Sequence, residues 1–125
     1  MPLNPQTIGA ISASMSVLLG AFGAHGLKTS LKDDPKAEYY LNIWSTAAQY
    51  QMVHSIGMIL VPIITKKAGW TFPANQFLAG ISLFSGSLYT LVLTKKPLLV
   101  AITPLGGVLI ATGWLSLAYA TKDQY

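Results

Sequence analysis

The 125-residue chain has no cysteine, no arginine and little charge of either sign: eight lysines and four acids make up 10% of its residues. Without cysteine it can form no disulfide and no thiolate metal site, and it has no cysteine nucleophile. No basic residue precedes Lys28, so residues 1–27 match neither a secretory leader with its basic start nor an arginine-rich mitochondrial presequence. Soluble domains carry about 25% charged residues. A chain that is 52% hydrophobic and so sparsely charged cannot clothe a water-facing surface, which excludes an ordinary soluble globule.

The charges that are present sit in four places: Lys28 to Glu38, Lys66 and Lys67, Lys95 and Lys96, and Lys122 and Asp123. Between them run four uncharged stretches, 1–27, 39–65, 68–94 and 97–121, of 27, 27, 27 and 25 residues. A hydrocarbon layer about 30 Å thick is crossed by roughly 20 helical residues, so each stretch can cross once. A lysine at the centre of such a helix costs about 2.5–3.5 kcal/mol, which accounts for its absence there. Backbone groups in lipid must be satisfied within the span, and runs this long predict helices, not barrel strands of about 10 residues. The fold class that follows is all-α, a single integral membrane domain over 1–125 built as a four-transmembrane-helix bundle. The net charge of +4 belongs to lysines at helix ends, near lipid headgroups, and does not point to nucleic acid.

Proline, glycine and aromatic residues suggest the bounds. Pro5 suits a first turn, giving helix 1 over 5–27. Helix 2 is expected to have an interfacial lead-in over 36–44, with Tyr39, Tyr40 and Trp44 as an aromatic belt, and an embedded part over 45–65. Helix 3 is expected over 73–94 and helix 4 over 98–121. Pro104 either kinks helix 4, the reading we prefer, or starts it after non-helical 98–102 with Thr103 as cap. Small residues Ser12, Ser16, Gly20 and Ala24 form a stripe along helix 1, and Ser82, Gly86 and Thr90 form another on helix 3. The first stripe suggests that helix 1 lies centrally. Gly20, Gly23 and Gly26 permit close approach or a loosened last turn, and Gly106 and Gly107 read as packing residues. Four crossings put both termini on one side. Five lysines in the loops 1–2 and 3–4 against three opposite favour both termini outside.

Few polar groups within the spans could carry chemistry. His25 lies near the end of helix 1; His54 lies in helix 2, one turn after Tyr50 and three residues after Gln51. An intramembrane histidine is a candidate functional site whose partner must be named. The structural reading makes His54 a packing residue bonded to a hydroxyl or carbonyl. A functional reading makes His25, Tyr50, Gln51 and His54 a polar intramembrane site, with a solute or proton path along the Tyr50, Gln51 and His54 face. Axial haem ligation by His25 and His54 fits poorly, because His54 lies roughly 13 Å beyond the entry of helix 2 while His25 is near the surface. Hydrolysis is the least favoured reading, since the four acids are confined to the 1–2 loop and the C-terminus and cannot orient a mid-membrane histidine. No catalytic constellation, metal site or cofactor is expected.

Several segments nonetheless resemble a known family: Gly20-Ala21-Phe22-Gly23-Ala24-His25-Gly26-Leu27, Trp44 with Tyr50-Gln51-Met52-Val53-His54, Phe84-Ser85-Gly86-Ser87-Leu88-Tyr89, and Ile102-Thr103-Pro104-Leu105-Gly106-Gly107 with Gly113-Trp114. Together they resemble the small YgdD-like bacterial inner-membrane proteins, a domain of unknown function whose eukaryotic relatives resemble transmembrane protein 256. The resemblance implies four membrane helices, a bacterial plasma (inner) membrane or a mitochondrial inner membrane, and no established activity. The functional expectation is a non-enzymatic structural, accessory or assembly subunit, in contact with the lipid bilayer and with copies of itself or other membrane proteins. A small transporter or channel is the alternative, and a haem or other cofactor binder the third.

Overall fold

Asn4 starts the first helix by accepting the Thr7 backbone N–H at 2.8 Å, and Pro5 fills the first turn, where no N–H is needed. The computed structural model describes residues 3–122 and Gln124. Its spans are α1 (Pro5–Ser30), α2 (Ala37–Thr65), α3 (Phe72–Thr94) and α4 (Thr103–Thr121), and the described residues contain no strand. The chain is thus an all-helical integral membrane protein. The interfacial lead-in and the embedded part of helix 2 form one continuous helix, with Pro62 in its closing turns.

Within α1, Gly23–Leu27 form a π-helical turn, the loosened end that three glycines permit. Before α4 comes a 3₁₀ turn, Pro97–Ala101, and the α-helix starts at Thr103 with Pro104 in its first turn. The preferred kinked helix over 98–121 is therefore replaced by a change of helix type. Thr103 does not cap α4; its Oγ1 lies 2.7 Å from Ser87 Oγ of α3. The nineteen residues of α4 still extend about 28 Å at 1.5 Å per residue. Ile64-Thr65-Lys66-Lys67 and Leu93-Thr94-Lys95-Lys96 end α2 and α3 in the same geometry. The first lysine of each is left-handed, with φ 55° at Lys66 and 57° at Lys95.

The helices pack in chain order, α1 on α2, α2 on α3 and α3 on α4, with a lesser contact between α2 and α4. Of the apolar windows, 39% is buried in α2 and α3 but only 17% in α1 and α4. Helix 1 is thus peripheral, not central, because its small residues serve one neighbour only. Its tightest points are Gly9, where an added Cβ would stand 2.8 Å from Ile59 Cγ1, and Gly23, where it would overlap the Trp44 indole. Ser16 is buried, Gly20 makes an ordinary contact with Ala48, and Ala24 is exposed.

On α3, Ser82 is exposed and bonds its own helix through Leu78 O, and Gly86 would meet nothing within 4 Å. The close approach to α4 lies elsewhere, at Gly80 and Gly106. A Cβ on Gly106 would come within 2.8 Å of Phe84 Cα and 2.9 Å of Leu83 C. Gly107 has only an ordinary contact with Phe84, and a Cβ on Gly26 would press its own helix's Phe22 ring at 3.0 Å.

Two apolar clusters fill the interior. One, towards the termini, holds Met58, Val61, Ala74, Phe77, Ile81 and Leu117; the other, towards the 31–36 loop, holds Leu27, Leu31, Tyr40, Trp44 and Val92. Of the three aromatics assigned to a belt, Tyr39 is exposed while Tyr40 and Trp44 are buried.

Gly106→Ala forces a Cβ into α3 backbone, so it is expected to lower stability by about 1–3 kcal/mol. Gly86→Ala is expected to be neutral or slightly stabilising. Unfolding of both variants in one detergent, followed by circular dichroism, checks the pair.

Candidate functional site

The polar side chains of the spans lie between the two apolar clusters, and Gln51 is their junction. Its Nε2 donates to Ser12 O at 3.0 Å and to Ser12 Oγ at 3.3 Å, and its Oε1 accepts the Tyr89 hydroxyl at 2.7 Å. Ser55 Oγ extends the junction, 2.7 Å from Ser12 Oγ and 2.5 Å from the Gln51 carbonyl. One carboxamide, 5% exposed, thus ties α2 to α1 on one side and to α3 on the other. Further bonds repeat the pattern. Trp44 Nε1 donates to Leu19 O at 2.7 Å, Ser85 Oγ to Ala47 O at 2.7 Å, and Gln76 Nε2 to Thr112 Oγ1 at 2.8 Å. Buried polar groups in lipid have no water to fall back on, and these find protein partners.

His54 stands apart from this junction. Its Nδ1 lies 2.6 Å from the carbonyl of Tyr50, one turn earlier on α2. Its ring sits in an aromatic group with centroids 5.5 Å from Tyr50, 6.1 Å from Phe77 and 5.9 Å from Trp114. Tyr50 also stacks on Phe84 at 4.4 Å. Tyr50 and His54 are therefore brought together, and Gln51 is not, since its amide is taken up by Ser12 of α1 and Tyr89 of α3. His25 lies in the π-helical turn, exposed, with its backbone carbonyl accepting Thr29 Oγ1 at 3.0 Å. Among the described residues, no group of three His, Cys, Asp or Glu side chains could hold a metal ion.

Sequence reasoning passed over Tyr89, Ser55 and Ser85, and gave Trp44 to the interface. The spacing Gln51 to Ser55, one turn on the same helix, was an available signal for a polar face. That this face meets Ser12 and Tyr89 is a tertiary fact.

At the membrane surface, the loops following α1 and α3 are joined by an ion pair between Lys95 Nζ and Asp34 Oδ2. The Lys95 side chain, together with the Lys36 backbone N–H at 2.8 Å, holds the Asp34 carboxyl below its ordinary value of 3.8. Asp34 in turn raises Lys95 above 10.5. The Lys95 ammonium also lies 5.4 Å from the centre of the Tyr40 ring.

Comparison with known proteins agrees with this architecture. The model of a protein family of unknown function, DUF423, matches residues 19–107. A membrane protein of Staphylococcus epidermidis from the group UPF0382 is 45% identical over 121 residues, 91% of each chain. The UPF0382 membrane protein YwdK of Bacillus subtilis is 43% identical over 122 residues, 90% of this chain and 91% of its own. The chain belongs to the DUF423 family. No solved structure matches it.

Gln51→Leu removes the bonds to Ser12 and Tyr89 together and strands the Tyr89 hydroxyl, whereas Tyr89→Phe removes one bond. Interhelical bonds in membranes bring about 0.6 kcal/mol each, up to about 1.7. Gln51→Leu is expected to cost more than Tyr89→Phe, and the double variant less than their sum, as an unfolding cycle in detergent reads out.

The ion pair gives a pH window. Asp34, with its value lowered on folding, stabilises above 3.8, and that contribution disappears as pH falls through its folded value. Lys95, with its value raised, stabilises below 10.5 and loses this as pH rises through its folded value. Spin labels at Pro35 and Lys96 are expected to keep one separation between those limits and to move apart beyond them, the acid change being absent in Asp34→Asn.

Proposed function

We propose that this DUF423 family member is a non-enzymatic accessory or assembly subunit of a bacterial plasma (inner) membrane, working through lateral contact with other membrane proteins or with copies of itself. The observation that carries this reading is the division of labour among the helices. Trp44, Gln51, Gln76, Ser85 and Ser87 tie α1 to α2, α2 to α3 and α3 to α4, while hydroxyls such as Ser16, Thr65 and Thr90 bond back to their own helix. Meanwhile α1 and α4 turn large apolar side chains outwards, Leu18 at 69% and Leu115 at 70% exposure. Such surfaces suit lipid and equally suit another transmembrane helix, since dispersion and shape decide between them.

Among the described residues no group is arranged as nucleophile, base and orienting partner, which supports a role without catalysis. A solute path along Tyr50, Gln51 and His54 is the alternative. It would require the Gln51 amide to leave Ser12 and Tyr89, and it gives up the bonds that hold three helices together. The lysine distribution supports both termini outside, which would place the 31–36 and 95–102 loops in the cytoplasm.

Cross-linking in native membranes, followed by affinity isolation and mass spectrometry, tests the reading. A single membrane protein, or a second copy of this chain, is expected at fixed stoichiometry. A protein that is strictly monomeric in its own membrane, with no stoichiometric neighbour, would overturn it.

A further inference from the structure

The junction at Gln51 uses its donors and acceptors internally; His54 does not. The Tyr50 carbonyl can only accept, so in the neutral ring the proton sits on Nδ1 and Nε2 carries a lone pair. His54 is only 6% exposed. Yet among the described residues the one fully buried side-chain polar atom without a partner is Thr71 Oγ1, so Nε2 is not sealed inside the protein. His54 lines a groove of about 300 Å³ with Gln49, Tyr50 and Val53 on the side of α2. Its surroundings are aromatic: Tyr50 stacked on Phe84, and Trp114 edge-on to the imidazole with 61° between planes.

The occupant of such a groove is constrained by chemistry. His54 lies eighteen residues along a 29-residue apolar helix, far from headgroups, so the occupant arrives through the bilayer and is lipid-soluble. Acyl chains offer no donor, and an imidazole acceptor left unmatched at this depth carries a cost. The occupant must therefore bring a hydrogen-bond donor, such as a hydroxyl. Of the groove's lining, the exposed Tyr50 ring, braced by its stack on Phe84, favours a flat ring over a branched or sterically bulky body.

We propose that the His54 groove binds a lipid-soluble quinol, whose ring lies beside Tyr50 and whose hydroxyl donates a hydrogen bond to His54 Nε2. The oxidised quinone has carbonyls only and cannot donate, so the site discriminates between the two redox forms without itself transferring electrons.

The chain has two histidines, which makes the test direct. The full-length protein, labelled with ¹⁵N-histidine in lipid nanodiscs, is titrated anaerobically with a short-tailed benzoquinol and separately with its quinone. The quinol is expected to move the His54 Nε2 resonance saturably and to leave His25 in place, while the quinone binds at least tenfold more weakly. His54→Phe keeps a ring in the aromatic group but has no lone pair, and should lower quinol affinity at least tenfold. Val53→Trp, at a 52% exposed position, fills the groove from outside and should do the same with His54 intact and the fold undisturbed. Equal binding of quinol and quinone, an unmoved His54 resonance, or unchanged affinity in Val53→Trp would overturn the proposal. So would a Soret band on haem addition that disappears in His54→Phe, since Nε2 would then be a metal ligand.

Discussion

Hydrogen bonding between helices at the middle of the membrane is the constraint on which this structure rests. Apolar side chains bring the helices into lipid, but they do not distinguish a neighbouring helix from a lipid tail. Discrimination falls to close backbone contact and to polar groups that must find partners. Gln51 meets that requirement on both sides of α2, with Ser12 of α1 and Tyr89 of α3. A rotation of α2 about its axis would leave a carboxamide and a phenol unpaired in a medium with no water. The apolar clusters on either side then pack into a register already chosen for them.

The layout of the spans was legible because it follows from a solvation rule applied residue by residue. Lysine and acid are expelled from lipid, so the positions of Lys28, Lys66, Lys95 and Lys122 delimit the crossings. Local backbone chemistry was legible too, as with Pro5 in the first turn of α1 and the paired Thr-Lys-Lys endings of α2 and α3. The packing was not, because small residues state where approach is possible but not where it occurs. Gly86 and Gly106 look alike in sequence, yet one faces open space and the other rests on α3 backbone. Trp44 shows the same limit. Its position next to a polar loop suits an interface, but Gly23 leaves room for its indole and Leu19 offers a carbonyl, and so it is buried.

The candidate polar site was half legible. Spacing placed Tyr50, Gln51 and His54 near each other on α2, but a helix face three or four residues wide has two sides. Gln51 turns to α1 and α3, while His54 turns to the aromatic rings of α3 and α4. Only the partners on other helices decide between those directions, and no periodicity within α2 contains them. The outcome separates two kinds of polar residue in one helix, one bonded across to two neighbouring helices and one whose ring bonds a carbonyl of its own helix.

The helices follow one another in space as they do in the chain, and α1 and α4 have no extended contact to close the row. The molecule therefore has two rims, each borne by a single helix near a chain terminus. Residues there can drift to suit a new companion without disturbing the Gln51 junction, which lies inboard of both. Such an arrangement lets one interior persist through a lineage while its two borders diversify separately.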